Sequence, residues 1–302
     1  MNISSPDTRF FCFGLGYSAL VFAKRLMSQG WSVAGTCQSP DKEAKLTALG
    51  IETYLFDQDN PLPEKALDGT THMLISVPPG QDGDPVLKSL KQDITDLNQL
   101  EWVGYLSTTG VYGDTGGEVV TEESPLNPSS KRSRNRVHAE QEWQALNLPL
   151  HIFRLAGIYG PGSSQVDKVK AGTAKRIDKP GHCFGRIYVE DIATVLQASL
   201  AHPSPGALYN VCDNEPAAPA EVTAEACRLL GIEPPPIIPF EVARQDMSPM
   251  GLSFWNDNRR VDNSRIISEL GVELACPTYR EGLAKIIEQD KRDSSMPDDR
   301  PQ

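Results

Sequence analysis

Paired cysteines, long apolar runs and an excess of positive charge are all missing from this sequence, and each absence excludes something. The six cysteines, at positions 12, 37, 183, 212, 227 and 276, never fall in Cys-x-x-Cys spacing. Neither a zinc site nor a disulfide frame is therefore written into the chain. Several of them sit inside apolar runs and read as reduced, buried thiols of a cytoplasmic protein. No apolar run reaches membrane-spanning length. Met1 to Thr8 is polar and lacks the apolar core of a signal peptide. Lys and Arg number 29 against 40 Asp and Glu, for a formal net charge of −11. That balance disfavours nonspecific nucleic-acid binding and anionic membrane surfaces. Internal repeats and a low-complexity core are absent as well.

What is present is most informative at its start. The apolar run 9–13 ends in Gly14-Leu15-Gly16 and passes into an amphipathic segment carrying Leu20, Phe22, Ala23 and Leu26. A buried parallel strand followed by a glycine turn and a helix is how a chain cradles a pyrophosphate. Gly14 permits the tight turn and Gly16 lets a phosphate approach the backbone. Ala19, in the third glycine position, lets the helix pack close to the strand. The helix N-terminus then turns its free N–H groups toward the phosphates.

The first half continues to alternate. Strands are predicted at 9–13, 31–36, 51–56, 72–77, 102–107 and 150–155, and helices at 17–29, 41–49, 85–98 and 134–147. This is the pattern of an α/β fold, a doubly wound parallel sheet covered on both faces, with its ligand site at the carboxyl ends of the strands. At 302 residues the chain can bury one large core or two smaller ones. Regular alternation stops after Ile158-Tyr159-Gly160-Pro161-Gly162, and shorter elements follow around Pro234-Pro235-Pro236. The division predicted is a dinucleotide-binding domain over 1–160 and a small substrate lobe over 161–288, mixed with the last elements of the sheet. A charged, proline-bearing tail over 289–302 is expected to be disordered.

The end of the second strand is where such folds choose between NAD and NADP, by an acid for the ribose or an arginine for a 2′-phosphate. Thr36-Cys37-Gln38 offers neither charge, so both cofactors stay open. Val77 and Pro78, after the fourth strand, either form a wall of the crevice or only turn the chain. Gln81 to Asp84 is acidic but lacks calcium-loop spacing, so no metal site is expected. Asp84 reads as a helix N-cap with Pro85 at the first helical position.

Five segments then carry a resemblance. They are the glycine turn, Ser107-Thr108-Thr109-Gly110-Val111-Tyr112-Gly113, Arg154 to Gly162, Arg186 to Ala193, and Tyr209-Asn210-Val211. In order and spacing the chain resembles the extended short-chain dehydrogenase/reductase superfamily, the NAD-dependent epimerase/dehydratase group. The resemblance covers about residues 9 to 288. It implies a Rossmann domain with a C-terminal substrate lobe, and oxidoreductase, epimerase or dehydratase chemistry, often on nucleotide sugars. It implies that Thr108, four residues before Tyr112, polarises a substrate oxygen; the alternative is a bond to nearby backbone. The expected cofactor-binding set is Gly14, Gly16, Tyr17, Ser18, Ala19, Thr36, Gln38, Val77, Pro78, Ser107, Ala156 and Ile158.

One departure matters as much as the match. The family places a Tyr-x-x-x-Lys pair on the next helix, with an acid four residues after the lysine. Counting back from Glu140 puts Arg136 in the lysine place and Arg132 in the tyrosine place, and no tyrosine lies between Tyr112 and Tyr159. An arginine stays protonated and cannot trade a proton as a phenol of pKa ~10 can when a cation lowers it. The chain therefore resembles atypical members that have lost the proton relay. Lys131, Arg132, Arg134 and Arg136 cluster at a helix start, where cations oppose the helix dipole. Arg132 and Arg136 are expected to bind an anion, a phosphate of cofactor or substrate, with Arg136 counted in the catalytic set beside Thr108 and Arg132 in the substrate-binding set. The alternative is a solvated turn. His138 is a candidate general base but points to a different side of the helix and reads as a surface residue. Tyr112 is the other candidate acid, although in the family pattern this tyrosine is more often a packing and cofactor-wall residue. Arg154 is placed at the start of the loop after the sixth strand. Asp191 is expected to cap a helix, and Arg186 to touch substrate or to form a salt bridge.

These readings lead to an NAD(P)-dependent oxidoreductase or epimerase-like enzyme for a small polar substrate, anionic or a nucleotide sugar. The rival is a dinucleotide-binding sensor or scaffold without chemistry. The oligomeric state, a homodimer included, stays open.

Overall fold

In the computed structural model, which describes residues 8–57 and 59–295, the alternating segments form a seven-stranded parallel sheet. Its first five strands are β1 (Arg9–Phe13), β2 (Ser32–Cys37), β3 (Glu52–Leu55), β4 (His72–Ile75) and β5 (Trp102–Thr108). The strands Leu150–Leu155 and Leu208–Val211 complete it. Across the sheet the order is Leu208–Val211, Leu150–Leu155, β5, β4, β1, β2, β3, every neighbouring pair parallel.

Alternate residues of β1 face opposite layers. Phe10 and Cys12 join a core with Phe22 and Leu26 of α1 (Tyr17–Ser28) and with Ile192 and Leu196 of the helix Val189–Ala201. The Phe10 and Phe22 rings meet edge to face at 5.4 Å. Phe11 and Phe13 face the other layer, with Val86 and Ile94 of α3 (Pro85–Thr95) and Trp143 of α4 (Lys131–Gln144). Each such fully buried side chain contributes about 1.5–3 kcal/mol, so a polar residue on either face of β1 is excluded. The helix α2 (Pro40–Ala48) bridges β2 and β3 at the edge.

β1 lies between β4 and β2. The chain builds outward in one direction through β2 and β3 and in the other from β4, so a crevice opens at the carboxyl ends of β1 and β4. Beyond residue 160 the helices Gln165–Lys170, Pro219–Leu230 and Tyr279–Ser295 share a separate core of Val166, Val169, Val222, Ala226, Leu283 and Ile286. Short parallel pairs, 157–159 with 186–188 and 176–178 with 237–239, tie this lobe together.

Several boundaries shift by one to three residues, and two differences have a clear physical reason. α4 begins at Lys131, not at 134, because the Ser130 hydroxyl accepts the Ser133 N–H at 3.1 Å and caps the helix there. Residues 289–295 of the expected disordered tail are helical. Leu283, Ile286 and Ile287 bury one face of that helix, and Lys170 pairs with Asp290 at 2.5 Å. The rest of that tail, 296–302, and residues 1–7 of the expected leaderless start lie outside the described residues. All six cysteines are buried and unpaired. Among the described residues no helix is long and apolar enough to cross a membrane.

Candidate active site

The glycine turn is built as a cradle. Gly14 sits at φ +84°, and a Cβ there would lie 3.2 Å from the Val77 nitrogen. Its N–H donates to Thr36 Oγ1, and the Leu15 N–H to the Thr36 carbonyl, both at 2.9 Å. Thr36, expected among the cofactor contacts, is instead buried beneath the turn and holds its shape. Gly16 begins α1 with no side-chain cap and no acid in the first turn. A Cβ at Gly16 would meet only the Gly14 carbonyl, at 3.8 Å, so the space before the helix N-terminus is open. Ala19 is fully buried in the core beneath.

In front of this turn lies a cleft of about 1510 Å³, walled by the sheet ends on one side and the lobe on the other. Gly16, Tyr17, Ser18, Pro78, Ser107, Thr108, Ala156 and Ile158 line it. Tyr17 crosses to the lobe, its hydroxyl donating to the Pro161 carbonyl at 2.9 Å. Val77 abuts Gly14 from behind and Gln38 is exposed at the end of β2; neither lines the cleft.

Thr108 ends β5 with its Oγ1 accepting the Gly110 N–H at 3.1 Å. The local backbone bond is thus made, and Thr108 also lines the cleft. The neighbouring Ser107 hydroxyl donates to Glu140. Glu140 in turn takes two bonds from Arg154, Nη2 to Oε2 at 2.7 Å and Nε to Oε1 at 3.2 Å. Burial opposes the charge on Arg154, and the Glu140 carboxylate more than reverses this, raising its pKa. Arg154 lies inside its strand, not at the start of a loop, and is 3% exposed.

Tyr112 is withdrawn from the chemistry. It is 1% exposed, its hydroxyl donates to Asn210 Oδ1 at 2.6 Å, and it accepts from Arg154 Nη1 at 2.9 Å. Burial holds its pKa above the ordinary phenol value. As an acid it has no access to the cleft, so that expectation is corrected. Asp191 is corrected too. It lies within the helix Val189–Ala201 and accepts the Ala275 and Cys276 N–H groups at 2.7 and 3.0 Å, anchoring a distant loop.

On α4, both arginines reach the cleft. Arg136 Nη1 donates to the Leu106 carbonyl at 2.7 Å and to the Tyr105 hydroxyl at 3.2 Å. The Arg132 guanidinium lies over the Phe254 ring, 4.6 Å from its centroid. Lys131 and Arg134 are occupied elsewhere, by Gln81 Oε1 and the Ser129 carbonyl. His138 is exposed beside Glu142. On the lobe side, Arg186 Nη1 donates to the carbonyls of Phe184 and Ala217 at 2.8 and 3.0 Å. Burial lowers its pKa against the pull of Asp213, whose own pKa burial pushes up to about 7.

Sequence reasoning missed Lys168, Lys175, Arg259, Phe254 and Trp255, all of which line the cleft. They lie in the irregular half, where no periodicity marks a face. Six basic residues line it against two acids, Asp167 and Asp257. Among the described residues no three His, Cys, Asp or Glu side chains gather as a metal-binding group.

Comparison with known proteins agrees with this architecture. The chain is 30% identical over 279 residues to protein YeeZ of Escherichia coli (strain K12), spanning 87% of this chain and 94% of that protein. The structure of a functionally unknown conserved protein from Silicibacter pomeroyi DSS is 50% identical, with a TM-score of 0.88 over 93% of this chain and 98% of its own. The dTDP-glucose 4,6-dehydratase of Bacillus anthracis str. Ames, solved in complex with NAD, shares the fold at TM-score 0.75 and 16% identity, over 94% of this chain and 97% of its own. No protein-family model matches the chain.

Proposed function

We propose a function from the premise that this chain belongs to the family of protein YeeZ, within the extended short-chain dehydrogenase/reductase superfamily. It is an NAD(P)-dependent oxidoreductase or epimerase-like enzyme that acts on a small polar substrate bearing an anionic group. The residues fit the cofactor. The open space before Gly16, the uncapped N-terminus of α1 and the cleft beyond it suit a pyrophosphate and the group attached to it. When bound, a nicotinamide cofactor supplies hydride transfer. The protein's part is to orient and to stabilise charge. Thr108 presents a hydroxyl to a substrate oxygen, and Arg136, fixed by Leu106 and Tyr105, supplies a permanent cation at the same wall.

The charge of the cleft carries the anionic part of the reading. In a chain of net charge −11, six basic residues line it against two acids. Asp257 is paired with Arg259 at 3.1 Å, and Asp167 is held by the Ser164 N–H at 2.7 Å. Lys168 and Lys175 have no ion pair among the described residues. Such a cleft concentrates anions.

Two observations favour a second reading, a cofactor-binding sensor without chemistry: Arg132 stands in the tyrosine place and Tyr112 is buried. Fluorescence titration with NADH and NADPH, followed by matched carbonyl compounds with and without a phosphate or carboxylate, separates the two. Cofactor oxidation by the anionic member of a pair, weakened by salt, supports the enzyme. Binding without turnover across the panel favours the sensor, and absence of binding sinks both.

A further inference from the structure

The first turn of α4 carries a hydroxyl that the family pattern does not call for. Ser133 is 5% exposed, yet it lines the cleft. A Cβ built on Gly110 would stand 3.0 Å from Ser133 Oγ and 3.3 Å from Thr108 Oγ1. Two hydroxyl oxygens, from β5 and from α4, therefore flank one spot on the cleft wall. A Cβ there would press on both hydroxyls, and glycine at 110 keeps the spot clear.

The hydrogens can be followed. Ser130 Oγ accepts the Ser133 N–H at 3.1 Å as the helix cap. Either oxygen of this pair, 2.8 Å apart, can be the donor, and in the arrangement the clamp uses Ser130 donates to Ser133 Oγ. That leaves the Ser133 hydrogen for the cleft. Thr108 Oγ1 accepts the Gly110 N–H and keeps its hydrogen for the cleft as well. One turn along α4, Arg136 faces the same cleft with its guanidinium fixed by Leu106 and Tyr105.

We propose that Ser133 and Thr108 form a two-hydroxyl clamp for a single substrate oxygen, with Ser133 supplying the second hydrogen bond that a tyrosine would otherwise give. Two donors plus a fixed cation stabilise negative charge on that oxygen without any group at the clamp having to ionise. The inference rests on the reading of the cleft as a nicotinamide and substrate site.

Sulfite tests it without a known substrate. It adds to C4 of oxidised nicotinamide through a new C–S bond, its lone pair neutralising the ring cation, and its oxygens then occupy the place of a substrate oxygen. The near-ultraviolet absorption of the adduct reports affinity. NAD titrations of wild type, Ser133→Ala and Thr108→Ala should agree within about twofold, because neither hydroxyl reaches the pyrophosphate cradle. Sulfite affinity in the NAD complex should fall by about tenfold in each variant, the worth of one hydrogen bond to a charged oxygen. Ser133→Thr, which restores a hydroxyl, should recover most of the loss. Wild-type sulfite affinity in Ser133→Ala overturns the clamp and leaves Ser133 only a partner of the Ser130 cap. So does the absence of an adduct in a wild-type protein that binds NAD. Failure of the wild type to bind NAD overturns instead the cofactor reading beneath it.

Discussion

Arg154 and Glu140 form an ion pair in the protein interior, 3% and 1% exposed, with Nη2 and Oε2 2.7 Å apart. The pair stands directly behind the cleft wall, since Glu140 also takes the Ser107 hydroxyl and Arg154 reaches Tyr112. It links α4 to the strand Leu150–Leu155, and so sets where the first turn of α4 meets the end of β5.

Removing one partner strands a buried charge. Arg154→Met should destabilise the protein by about 3–5 kcal/mol, and the double change with Glu140→Leu should recover much of that. Urea unfolding at pH 7 measures both. Equal losses in the single and double variants would mean that the pair matters for packing alone.

Gly16→Val should abolish NAD(P)H binding while leaving the fold intact, because a Cβ there meets nothing in the protein closer than 3.8 Å. Cofactor fluorescence and a melting curve check the two halves separately. An unchanged titration would remove the pyrophosphate from this turn.

Discrimination between NAD and NADP should be weak, within about tenfold. The exposed Gln38 at the end of β2 offers only a neutral hydrogen bond to either ribose form. Calorimetry showing a preference of about a thousandfold would point to a charged selector elsewhere, with Arg132 and Arg136 as the first candidates.

Acid should unfold the protein partly through His72. Burial against the Trp31 ring, 4.8 Å away, lowers its pKa to about 4 from 6.5. Between those values the unfolded chain binds the proton and the folded chain does not. Stability is therefore intact above pH 6.5 and falls as pH drops toward 4, by up to about 3 kcal/mol. His72→Gln should flatten that part of the acid limb in urea titrations at several pH values. A slope identical to wild type would assign the acid sensitivity to other groups, such as His182, which burial also lowers to about 4.

By itself the sequence determined the parallel sheet, the glycine turn and the absence of a phenol on α4. Each of these is local. A strand buried on both faces must be apolar along its length, as Phe10 to Phe13 are, and a turn at φ +84° selects the glycine at position 14. Tertiary structure alone decided which polar groups face the cleft. Thr36 and Tyr112 read as site residues from their motifs but are turned inward by partners 22 and 98 positions away, Gly14 and Asn210. Ser133, which no motif marks, is brought beside Thr108 by the packing of α4 on β5. Lys168 and Lys175 join the site because the lobe folds across the strand ends. Local periodicity reports which face of an element is buried. It carries no record of which distant side chain will meet it there, because that depends on how the packed elements sit against one another.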